Sequence, residues 1–148
     1  MDKLRLIHNE AMDLAQMAQI AARQGTKAQA DAMFLQAFNK ERDAALMAYE
    51  NQHPQPGLSI LLQSASHLAV TCKLPRDAEK LIGLALSGDA PAEIRQDLRR
   101  LLATLDNIED GNYDTYTIKI PAGDKSILNA LNVMLNRLGC SMRKIAVL

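Results

Sequence analysis

The chain has 148 residues, of which 48% are hydrophobic and 23% charged, so a folded protein is expected and bulk disorder is not. The 17 basic residues balance the 17 acidic ones, which is not the basic excess typical of nucleic-acid binders. Aromatic residues make up 3%, so the core must be built from Leu, Ala, Ile and Met, which favours helix packing over a β-sandwich.

The sequence predicts a cytoplasmic protein without a membrane span. The opening MDKLRLIHNE has no apolar core of a signal peptide, and no run of about 18 apolar residues occurs. Cys72 and Cys140 are the only cysteines and lie far apart without a CxxC pair. Two free thiols in a reducing compartment are therefore expected.

Five helices are predicted in residues 1–108, because apolar residues recur there at spacings of three and four. Gly25, the turn HPQPG, Pro75 and Gly88 separate them. The last of these helices is apolar on one face and charged on the other, as expected of a helix that caps an array. The predicted helices span residues 2–24, 27–50, 58–72, 75–87 and 90–105.

The pattern changes after the turn EDGN. YDTYTIKIP at 113–121 and MRKIAVL at 142–148 alternate apolar and polar residues, which indicates strands, and a helical pattern over 124–138 lies between them. A returning helix lets two strands run parallel, with a right-handed crossover. We therefore predict a mainly α protein with a helical domain at 1–108 and a small βαβ unit at 113–148.

The first four helices contain an internal repeat with an offset of 48 residues. The second helix of each pair places small, bulky and small residues at spacings of four and three: Ala30, Phe34 and Ala37, then Ala78, Ile82 and Ala85. The first helices of the two pairs match in the same way: Leu14, Ala18 and Ala21, then Leu62, Ser66 and Ala69. Small residues at such positions let two helix backbones approach closely where they cross.

This arrangement resembles the tetratricopeptide (TPR) repeat over about residues 11–105, with Ala18 and Ser66 as the small residues of the first helices. The stretch from Ser59 to Leu105, with SASHLA, DAEKLI and ALSG, is also similar to small, uncharacterised bacterial TPR-like proteins. The resemblance implies stacked antiparallel helical hairpins. The family repeats about every 34 residues, and a long second helix with the HPQPG turn would absorb the longer offset found here.

The resemblance also implies a non-enzymatic scaffold or adaptor that binds another protein or a peptide through the first helix of each hairpin. Carried over by position, Gln19, Arg23, Gln63, His67 and Thr71 would contact a peptide backbone or carboxylate. The alternative is that these side chains are simply solvated, or packed against the C-terminal unit.

The predicted C-terminal strands suggest a second contact surface. Two strands need support, which the helical domain, a second copy of the chain or a strand of a partner could supply. We therefore expect residues 113–148 to mediate dimerisation or strand-addition binding. The candidate edge residues are Tyr116, Ile118, Ile145 and Val147. An alternative function is a small regulator whose mildly basic C-terminal unit contacts nucleic acid, although that segment contains no RNP-like motif.

We predict no catalytic site, cofactor or metal. His8, His53 and His67 share no metal-ligand spacing. PAGDKS at 121–126 lacks the GxxxxGK[ST] pattern of a phosphate loop. An enzyme is the third interpretation, since it would need a pocket with convergent polar groups that the sequence does not indicate.

Overall fold

The computed structural model describes residues 3–105 and 125–137, and six α-helices occupy most of them. The prediction of a mainly helical protein is confirmed, and both ends of every helix lie within two residues of their predicted positions. Apolar periodicity was sufficient here because each helix is long and ends at a turn residue. The helices are α1 (Lys3–Arg23), α2 (Lys27–Glu50), α3 (Gly57–Thr71), α4 (Pro75–Leu86), α5 (Ala92–Leu105) and α6 (Lys125–Arg137).

The prediction of a C-terminal βαβ unit is wrong. The described residues contain six helices and no strand, and α6 is the one predicted C-terminal element that is seen. The segments 113–121 and 142–148 lie outside the described residues, as do the edge candidates Tyr116, Ile118, Ile145 and Val147. Alternation over seven to nine residues is a weak signal, because a two-stranded pair is only marginally stable by itself.

The chain divides into two compact units, Met1–Asp114 and Thr115–Leu148. In the first unit, α1 packs along α2, α2 against α3, and α3 against α4, while α5 contacts both α3 and α4. Neighbouring α1 and α2 run antiparallel. His8 contacts Glu41, whereas Glu10, which comes later in α1, accepts a 2.8 Å hydrogen bond from Lys40, which comes earlier in α2. The result is a one-directional array in which α1 and α5 are the two end helices.

The first three helices end in the same way. A residue with positive φ follows each of them: Gly25 (81°), Gln52 (51°) and Lys73 (56°). The next amide then bonds back to a carbonyl five residues earlier, as in Leu74 N–H to Ala69 O at 2.9 Å. This is the Schellman motif, which satisfies the last carbonyls of a helix and reverses the chain.

The core of the first unit confirms that the repeated small residues are buried. Ala18, Ala30, Ala37, Ser66, Ala78 and Ala85 are each at most 2% exposed. The buried hydroxyl of Ser66 donates to Leu62 O at 2.7 Å, so its burial leaves no polar group without a partner. The bulky residues of the repeat differ in burial. Ile82 is buried, but Phe34 is only partly buried, and Phe38 instead fills the core of the first hairpin.

Candidate functional site

Three of the five predicted partner-binding residues form one line along α3. Gln63, His67 and Thr71 are four residues apart, a spacing that places them on one helix face. Ala65 and Ala69 on another face are fully buried, and they fix the orientation of the helix. His67 and Thr71 are exposed and Gln63 is half-buried, so the line borders solvent.

Asp97 of α5 joins this line to the next helix. The Gln63 amide donates from Nε2 to Asp97 Oδ2 at 2.7 Å, and Nε2 of His67 lies 2.6 Å from the same oxygen. The Thr71 hydroxyl donates to the backbone carbonyl of His67 at 3.0 Å. We call Gln63, His67, Thr71 and Asp97 the α3–α5 polar strip.

The strip is negatively charged at its centre. The hydrogen bond from His67 lowers the pKa of the Asp97 carboxyl below its ordinary value of 3.8. The hydrogen bond from Gln63 and the charges of His67 and Arg100 act in the same direction, and partial burial opposes them. Asp97 is therefore ionised at neutral pH and accepts from both neighbours.

This arrangement predicts an NMR titration result. The Asp97 carboxyl carbon should titrate with a midpoint below 3.8 in the wild-type protein, and His67→Ala should move that midpoint upwards. Gln63→Ala should move it less, because His67 makes the larger contribution. Since a lowered carboxyl pKa stabilises the fold above pH 3.8, that contribution disappears as the pH falls through the lowered pKa. An unchanged midpoint in His67→Ala would contradict this account of the strip.

Gln19 and Arg23 lie in the last two turns of α1, and both are exposed. No hydrogen bond or ion pair among the described residues links either of them to the α3–α5 polar strip. Of the predicted binding residues, only the three on α3 therefore lie together. The two on α1 are solvated side chains near one end of the array.

A cleft of about 250 Å³ adjoins the strip at Thr71. It lies where α2 begins and α3 ends, and Phe34 and the 45%-exposed Leu35 supply its apolar surface. Burial and the nearby Asp31 carboxylate raise the pKa of the Cys72 thiol, so this thiol is a poor nucleophile. The cleft is lined by Lys27, Asp31, Phe34, Leu35, Thr71, Cys72 and Lys73.

The sequence analysis missed a buried charge. Glu41 on α2 is fully buried, and its two carboxylate oxygens lie 2.8 and 3.0 Å from Nδ1 of His8 on α1. Ser64 on α3 adds a hydrogen bond. The His8 side chain is 26% exposed. We call Glu41, His8 and Ser64 the buried polar cluster.

Burial raises the pKa of the Glu41 carboxyl above its ordinary value of 4.5, and it outweighs the contacts with His8 and Ser64 that lower it. A signal for this residue was present in the sequence. Glu41 is four residues from both Ala37 and Ala45, so it is a charge within the apolar stripe of α2. A charge at such a position needs a buried partner, but the stripe does not say which residue supplies it.

No group of three or more His, Cys, Asp or Glu residues in 3–105 and 125–137 could hold a metal ion. Among the helices of the described ranges, none has the length and apolarity to cross a membrane. Comparisons with protein-family models, with curated proteins and with solved structures found no match. The TPR resemblance therefore rests on the residues that suggested it.

Proposed function

We propose that the protein is a non-enzymatic, cytoplasmic interaction module whose TPR-like array binds a peptide segment of another protein along the α3–α5 polar strip. The observation that carries this proposal is the convergence of Gln63 and His67 on one oxygen of Asp97. The three polar side chains come from two packed helices and border solvent.

Preorganisation is the physical reason to favour this surface. Binding normally costs the rotamer freedom of the side chains that make the contacts. The hydrogen bonds to Asp97 already restrict Gln63 and His67, so a ligand would meet them in fixed positions. Each side chain also keeps a second polar atom: Oε1 of Gln63, Nδ1 of His67 and Oδ1 of Asp97. These three atoms can accept hydrogen bonds from peptide N–H groups, and the second N–H of the Gln63 amide can donate to a peptide C=O.

The cleft beside Thr71 supplies the complementary apolar contact. A peptide whose backbone follows the strip could place one apolar side chain against Phe34 and Leu35. A polar line that orients the ligand, next to an apolar recess that holds one side chain, is a common design of peptide-binding surfaces. The expected partner is therefore a segment with a single apolar anchor residue.

Comparative purification from the native host tests this proposal. Wild-type protein and His67→Ala would be used as baits, with Lys80→Ala as the control because Lys80 is exposed on α4 outside the strip. Quantitative mass spectrometry of the co-purifying proteins is the readout. We expect at least one protein that the wild type and Lys80→Ala enrich equally and that His67→Ala loses.

Two outcomes count against the proposal. Equal enrichment by all three baits would show that the strip is not the binding surface. Enrichment that disappears after nuclease treatment would instead favour the nucleic-acid alternative, whose contacts would also weaken steeply with salt.

A further inference from the structure

The end helix α1 carries a row of exposed apolar side chains. Leu6, Met17 and Ile20 are 49%, 52% and 46% exposed. Together with exposed Asp13 they are spaced by seven, four and three residues, which places all four along one face of the helix. The buried residues of α1, which include Ala11 and Ala18, lie on the face that packs on the array. We call Leu6, Asp13, Met17 and Ile20 the α1 stripe.

The opposite end of the array has a different outer surface. Leu98, Leu101 and Leu105 form the buried face of α5. Glu93 is exposed in the first turn of α5, while Arg99 and Arg100 are exposed in its second half and Leu102 is 39% exposed. The second half of α5 therefore presents a basic surface with one large apolar side chain.

Helical arrays require polar end helices, because any apolar end surface is a place for another repeat to stack. By that rule α5 is capped and α1 is not. We propose that a second copy of this chain covers the α1 stripe with the outer face of its α5, so that copies associate head to tail.

Charge complementarity favours the head-to-tail contact between α1 and α5 over a symmetric contact between two α1 helices. Asp13 lies within the apolar stripe of α1, and Arg99 lies three residues from Leu102 on α5. Carboxylate and guanidinium groups would face each other across the head-to-tail contact. A symmetric contact between two α1 helices would instead bring the Asp13 carboxylates of both copies into the same interface, where they repel. The contact is therefore heterologous, and it does not close on itself unless the rotation between copies forms a ring.

The association should be weak. A single helix packed on a single helix buries less than the roughly 1,200 Å² of the smallest stable interfaces. It should also weaken with salt, because Asp13 and Arg99 are at the surface. The proposal does not depend on the peptide-binding function, because Gln63, His67 and Thr71 lie on α3, and Asp97 on α5 is not part of the proposed contact.

A charge exchange tests the geometry. Sedimentation velocity at low salt would follow the full-length wild type, Asp13→Arg, Arg99→Asp, and an equimolar mixture of the two variants over a range of concentrations. We expect the wild-type sedimentation coefficient to rise with concentration, and each single variant to associate roughly tenfold more weakly, because an attraction becomes a repulsion. The mixture should recover association, since the two variant surfaces are complementary. Lys80→Asp should behave as the wild type.

Three results would overturn the proposal. A wild-type protein that sediments as a monomer at every concentration would do so directly. Association that Asp13→Arg alters but Arg99→Asp leaves unchanged would indicate the symmetric α1 contact, because that contact does not contain Arg99. Association that neither variant changes would place the interface elsewhere, for example in the C-terminal unit. Because both substituted residues are exposed, unchanged thermal unfolding of the variants separates these outcomes from misfolding.

Discussion

Replacing Glu41 by alanine is expected to lower the free energy of unfolding by about 2–3 kcal/mol. The substitution removes the carboxylate that His8 and Ser64 contact, and it leaves a cavity at a position that is fully buried. Urea unfolding followed by circular dichroism measures the change. Glu41→Gln is the matched control, because glutamine keeps the volume and still accepts a hydrogen bond from His8. A loss in Glu41→Gln as large as in Glu41→Ala would contradict the role given to packing and hydrogen bonding.

The Glu41→Gln variant also tests whether the pKa of the buried Glu41 carboxyl is raised. Because the folded-state pKa of Glu41 is raised, its contribution to stability falls as the pH rises from 4.5 through that raised pKa. Glutamine does not titrate. The stability of Glu41→Gln relative to the wild type should therefore increase with pH over this window, and a difference that stays constant would indicate a normal Glu41 pKa.

Enlarging a crossing residue is the second substitution with a large expected effect. Ala37→Leu should lower the free energy of unfolding by about 2 kcal/mol, because Ala37 is fully buried and has no space for three further carbon atoms. Ala32→Leu makes the same chemical change at an exposed position of α2 and should stay within about 0.5 kcal/mol of the wild type. Similar effects of the two substitutions would contradict the role of small residues at the crossings.

Sequence reasoning predicted the features that depend on local periodicity. Helix bounds follow from apolar spacing and from turn residues such as Gly25, which takes the positive φ that ends α1. The buried small residues, such as Ser66, were also predictable, because they repeat 48 residues apart and a repeated small residue indicates a repeated helix crossing.

The partners of the polar side chains were not predictable in this way. Asp97 is 30 residues from His67, and Glu41 is 33 residues from His8. A contact at that separation depends on which helices pack together and in what register, and periodicity specifies neither. The sequence could therefore propose His67 as a binding residue without indicating that Asp97 holds it in place.

The strand prediction was wrong for a different reason. Alternation was read over only seven to nine residues, which is a weak signal, and the described residues contain no strand. The helix between the two proposed strands had a longer pattern, over 124–138, and it is present as α6. Element length thus decided which C-terminal predictions could be relied on.

The most direct test of the proposed function is a measurement of partner affinity. The protein captured by the wild-type bait would be purified and titrated by calorimetry into the wild type, His67→Ala and Lys80→Ala. If the α3–α5 polar strip binds the partner, His67→Ala should bind about tenfold more weakly or worse, and Lys80→Ala should bind as the wild type does. Equal affinities of all three proteins would contradict the proposal that this strip is the recognition surface.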